Sequence, residues 1–214
     1  MATKKKSRAR AKTRSRPKQL SPGATELLTL ELQEIHSAEN QLMRIAPRFI
    51  KAAQSPQLQQ YLDRRMETGM QLIEDIEQAF EELEQGPSRK KNVAAEGLLN
   101  DVRQHIQEIA PGSARDAVLI AGVQKLEHYC IAAWGTSRAL AAALGIRSVT
   151  ESMTRALDEG RDLDQQLTQL AEESILPNLL ADEDADEAIE EEDEVQQTPK
   201  RSRRSSSSER RAPH

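Results

Sequence analysis

Two glutamates and one aspartate stand where amphipathic helices should carry apolar side chains. In the stretch Gln124-Lys125-Leu126-Glu127-His128-Tyr129-Cys130-Ile131-Ala132-Ala133-Trp134, the residues Ile120, Val123, Glu127, Ile131 and Trp134 recur at steps of three and four. That spacing is one face of a helix, so Glu127 points into a core. Leu28, Leu32, Ile35, Glu39, Leu42, Ala46 and Phe49 form a second such stripe around Glu39, and a third, from Val149 to Ala171, carries Asp164. An isolated buried carboxylate costs several kcal/mol, so each needs a proton, hydrogen bonds or a bound cation. Tyr61, Gln124 or an enclosed water are candidate partners for the first two, and a hard metal ion is the alternative.

Five helices must position these groups. The first starts near Thr25, a candidate N-cap, and Pro47 is expected to kink or shorten it. The second follows Ser55-Pro56, with Leu62, Met66, Gly69, Ile73, Ile76, Phe80 and Leu83 on its stripe, and stops at Gly86-Pro87. A shorter helix through Ala95, Leu98, Val102, Ile106 and Ile109 ends at Pro111-Gly112. A long helix then runs from about Ala114 to Leu144, and the last spans about Val149 to Glu173, with Pro177 as its stop. Leu, Ala, Glu, Gln and Arg dominate while aromatics make up 2%, which favours an all-α fold. The architecture predicted is a four-helix bundle with a short crossover helix between its second and third main helices.

Charge is segregated. Residues 1–18 carry nine Lys/Arg and no acid, residues 181–195 carry ten acids, and residues 200–214 carry six Lys/Arg and one acid, within a net charge of −5. The expected division is a disordered basic arm at 1–23, the bundle at 24–177, and a disordered acidic then basic tail at 178–214. An arm such as 4–18 suits sequence-independent contact with nucleic acid, because it lacks aromatics for base stacking; a solubilising role is the alternative. No apolar run is long enough to cross a membrane, and no apolar segment follows the basic start as in a secretory signal. With a single cysteine, this points to a cytoplasmic protein.

The stretches His36-Ser37-Ala38-Glu39-Asn40-Gln41-Leu42, Ala94-Ala95-Glu96-Gly97-Leu98, Arg115 to Ala121 and Gln124-Lys125-Leu126-Glu127-His128-Tyr129 resemble the YciE/YciF-type ferritin-like family of bacterial stress-associated proteins. The resemblance covers about residues 25–176. It implies a rubrerythrin-like bundle, often dimeric, with a di-metal carboxylate site. On the family's pattern Glu39, Glu67, Glu127 and Asp164 are the metal ligands. The same pattern has His, Glu and Glu where this chain has Met70, Cys130 and Gly160.

Those three replacements leave too few donors for two well-held ions. The resemblance therefore implies a degenerate site for a single iron or manganese ion. Two other functions compete with that reading: a non-catalytic bundle acting through its basic tails on nucleic acid or acidic partners, and an active di-iron oxidase or peroxidase. The pattern shows no Gly-rich phosphate loop, no zinc-type cysteine spacing and no nucleophile triad.

Overall fold

The computed structural model of the protein describes residues 23–184. Among them there is no strand. Five helices follow in order: α1 (Ala24–Ala52), α2 (Pro56–Glu82), α3 (Val93–Glu108), α4 (Ser113–Leu144) and α5 (Arg147–Leu170). α1 packs on α2 and α4, and α5 packs on the same two helices, so α1 and α5 occupy opposite corners of the bundle. α3 lies outside this square against α4 and α1, as the expected crossover.

Side-chain caps fix the ends at which neighbouring helices meet. Ser55 accepts from the Leu58 N–H at 3.3 Å, with Pro56 just inside α2. Asn92 caps α3 by accepting from the N–H groups of Ala94 and Ala95, while its own amide donates to the carbonyl of Glu34 on α1 and to the hydroxyl of Tyr129 on α4. The turn between α1 and α2 is held by buried Asp116 at the start of α4, which accepts from the N–H groups of Gln54 and Ser55 at 2.8 and 2.7 Å. The C-terminal end of α1 therefore sits beside the N-terminal end of α4.

Two helix ends differ from the sequence expectation, and Pro47 does not shorten α1. Thr25 is not the first cap: α1 begins after Gly23, and the Thr25 carbonyl accepts from the Thr29 hydroxyl within the helix. α1 continues five residues past Pro47. Pro177 does not end the last helix either. A π turn at Ala171–Ile175 precedes it, in which the Leu176 N–H reaches the carbonyl of Ala171, and helix resumes over 176–184. Such a widened turn suits the residue just ahead of a proline, whose ring crowds the carbonyl four residues back. The bundle thus runs beyond the expected boundary at 177, and Ser113 donates to Asp182 at 3.0 Å. The arm at 1–22 and the tail from 185 onward lie outside the described residues.

The core stripe of α1 is as expected, Leu28, Leu32, Ile35, Glu39, Leu42, Ala46 and Phe49 all being buried. On α2 the buried face is Leu58, Leu62, Arg65, Gly69, Leu72, Ile76 and Phe80. It is rotated from the expected one, and it brings an arginine inward.

Candidate functional site

Glu39 from α1 and Glu127 from α4 both reach the interior, each 0% exposed. Between them lies Arg65 of α2, 6% exposed. Its Nη1 and Nη2 donate to Glu39 Oε2 and Oε1 at 3.0 and 2.9 Å, a two-pronged pairing, while its Nε donates to Glu127 Oε1. One guanidinium thus bridges carboxylates from two other helices in the geometry its planar fork favours. The ring of Trp134, one helical step beyond Cys130 on α4, lies 5.7 Å from Arg65 Cζ and offers the cation an aromatic face.

Two glycines make the space for this cluster. A Cβ at Gly69 would lie 2.8 Å from Arg65 Nη1 and 3.0 Å from Glu39 Oε2; one at Gly160 would lie 2.5 Å from Trp134 Cζ3 and 3.4 Å from Glu127 Oε2. Where the resemblance implies a glutamate at position 160, the Trp134 indole fills the space a side chain would need. Cys130, also buried, completes the wall.

The electrostatics follow from two acids sharing one base. Burial works against the charge of Arg65, but Glu127 and Glu39 outweigh it and hold the guanidinium well above its ordinary range. Burial pushes the Glu127 carboxyl up; Arg65 opposes the shift, and Glu39 and Asp164 add to it. Glu127 Oε2 has no hydrogen-bond partner. Burial, then Glu39 and Glu127, push the Cys130 thiol well above its ordinary range, which favours the protonated thiol over the thiolate.

Of the four residues taken as metal ligands, the fold brings together two. Glu67 is exposed on the rim of a groove of about 370 Å³ between α2 and α5. Two residues along a helix is a rotation of about 200°, so with Arg65 facing in, Glu67 faces out. Asp164 stays at the edge, 22% exposed, accepting from Gln124 Nε2 at 3.1 Å and facing His128 Nε2 at 3.3 Å. Neither Tyr61 nor Gln124 partners a buried glutamate: the Tyr61 hydroxyl accepts from Gln57, and Gln124 turns to Asp164 and Thr168. Met70, where the resemblance implies a histidine, is 49% exposed and lies away from the cluster.

The side chains present do not fit the di-metal centre that the sequence resemblance implies. Three of the four carboxylate oxygens of Glu39 and Glu127 already accept from a permanently charged guanidinium, which supplies the cation that a metal would. Among the described residues no three His, Cys, Asp or Glu side chains are grouped to hold a metal ion. Arg65 is the functional residue that sequence reasoning missed. The signal available was the spacing Leu58, Leu62, Arg65, Gly69, Leu72, Ile76, as regular as the stripe chosen in its place.

The family described as "Domain of unknown function (DUF892)" matches residues 23–180. Protein YciF of Escherichia coli K12 is 37% identical over 141 residues, which cover 65% of this chain and 85% of that protein. The crystal structure of the E. coli stress protein YciF superposes with a TM-score of 0.67 at 34% identity, covering 71% of this chain and 96% of that one. YcfI from Rhodopseudomonas palustris gives 0.65 at 32% identity, covering 72% and 96%. A Xanthomonas campestris protein at 14% identity and a TM-score of 0.59, covering 75% and 98%, shares the fold alone.

Proposed function

The chain belongs to the DUF892 family, and from that premise we propose that it is a stress-associated bundle protein that works by binding rather than by catalysis, its carboxylate site closed by an internal cation. The stress association rests on the likeness to YciF, described as a stress protein. The observation that carries the rest is Arg65, seated between Glu39 and Glu127. A guanidinium does not release its proton in a protein, does not change oxidation state and has no open coordination position, so Arg65 itself brings neither acid–base nor redox chemistry to the site. The nearby thiol is held protonated. Iron or manganese at Glu39 and Glu127 would have to displace three charge-assisted hydrogen bonds. The basic arm, residues 4–18, and the other charged surfaces are then the parts that meet partners, nucleic acid among them.

The test is a thermal melt of metal-stripped full-length protein with and without iron(II) or manganese(II). A site loaded at a hundredfold excess over its dissociation constant would add about 2.7 kcal/mol of stability. Unchanged melting and no bound metal by elemental analysis are expected. A clear rise, lost in Glu127→Gln, would restore the metal reading.

A further inference from the structure

Residues 40–62 carry Arg44, Arg48 and Lys51 and no acid, and residues 85–95 carry Arg89, Lys90 and Lys91 and no acid. In sequence these are two unremarkable stretches. The fold brings them to one face, because Asn92 is pinned to α1 by the Glu34 carbonyl, the Ser37 hydroxyl and Gln41, so that α3 sets out alongside the second half of α1. Arg44, Arg48 and Lys91 line the same shallow groove, about 280 Å³, with Gln41, Leu99 and Asn100.

Its charge is unbalanced. Elsewhere on the described surface Arg64 faces Asp162, Arg155 pairs with Asp75, Arg147 with Glu151 and Lys125 with Asp101, while Arg103, Arg138 and Arg161, which are spread over α3, α4 and α5, have no ion pair. In the groove Glu96 serves Lys91 alone, and among the described residues Arg44, Arg48 and Lys51 have no ion-pair partner. From Arg44 to Lys51 the row rises about 10 Å along α1.

We propose that the acidic segment of this same chain, residues 185–194, docks along the α1–α3 groove. Two observations select it. The first is where the described chain ends: Asp182 is hydrogen-bonded to Ser113 at the start of α4, and Asp116, one turn further on, holds the C-terminal end of α1 at Gln54 and Ser55. The acidic segment therefore leaves the bundle at the Lys51 end of the basic row. The second is charge: residues 185–194 contain Asp186, Glu187, Glu190, Glu191, Glu192, Asp193 and Glu194 and no base. Ten residues extend to about 33 Å, more than three times the length of the row. The arm at 4–18 has the wrong sign and leaves from the other end of α1. Each exposed pair is worth under about 1 kcal/mol and is screened beyond a Debye length of about 8 Å at physiological salt. The contact is accordingly multivalent, sustained by the tether rather than by any one pair.

Zero-length carbodiimide cross-linking of the dilute full chain, with the joined peptides identified by mass spectrometry, tests this. Lys51, Lys90 and Lys91 are expected to join to carboxylates within 186–194 inside one chain. The yield should fall at least fivefold in the double variant Arg44→Gln, Arg48→Gln and in 1 M salt. Both substitutions are on exposed side chains, so folding is preserved. Joining of the segment only to Lys4, Lys5 and Lys6, only to Lys125, or only between isotopically distinct chains would overturn the proposal. So would yields indifferent to the substitutions, or protection of Lys51 and Lys91 by an added DNA duplex in a chain whose acidic segment forms no cross-link to them.

Discussion

The edge of the Trp134 indole occupies the space a side chain at position 160 would need: a Cβ there would stand 2.5 Å from Trp134 Cζ3. The obstacle is a ring packed against the buried Arg65 guanidinium, not the mobile tip of a long side chain. Gly160→Ala should therefore destabilise the bundle, by about 1–3 kcal/mol as for other overpacked cores. Denaturant unfolding of the variant beside the parent measures it. Gly160→Glu, which adds a longer side chain at the same point, should be worse unless Trp134 is replaced by a smaller residue at the same time.

Arg65 is the only cation facing Glu39 and Glu127 among the described ion pairs. Arg65→Met leaves two buried carboxylates against each other and should cost about 3–5 kcal/mol. The triple variant Glu39→Leu, Arg65→Met, Glu127→Leu removes all three charges together and should recover most of that loss. Chemical denaturation of the single and triple variants measures both, and equal losses would mean that the cluster is not an energetic unit.

The position of Glu127 sets a pH dependence. Its carboxyl is raised from a usual 4.5, first by burial and then, against Arg65, by Glu39 and Asp164. The native state therefore keeps a proton that the unfolded chain has released. Stability from this group is present at and below about pH 4.5 and is lost as the pH climbs through the higher native value. Glu127→Gln should flatten that part of the profile. Melting temperatures of both proteins between pH 4 and 8 give the comparison.

Asp116 joins three elements by accepting from the N–H groups of Gln54 and Ser55 between α1 and α2. Asp116→Ala strips two part-buried N–H groups of a charged partner and should cost about 1.5–3 kcal/mol. Amide hydrogen exchange at Gln54 and Ser55 should rise with it, since these protons lose their acceptors.

Much of this was legible in the chain itself. A period of 3.6 residues turns Leu32, Ile35, Leu42 and Phe49 inward and leaves Glu39 no other direction, and the same reasoning holds for Glu127 between Val123 and Trp134. Two buried acids from separate helices follow from pattern alone. What answers them does not. On α2 two interleaved stripes of equal regularity compete, one through Met66 and Ile73, the other through Arg65 and Leu72. Apolarity favours the first. The bundle takes the second, leaving Met66 and Ile73 only partly buried, because the acids of α1 and α4 reward an inward guanidinium more than a methionine would be rewarded, and because Gly69 and Gly160 leave room for it and for Trp134. Glu67 lies off both stripes, so no roll between them turns it inward. The basic groove was hidden for a related reason: Arg44 and Lys91 are 47 positions apart in the chain, and only the docking of Asn92 on α1 makes them neighbours. Periodicity decides which way a residue faces relative to its own helix; how far that helix is rolled, and which charges then meet, is decided by the partners across the core.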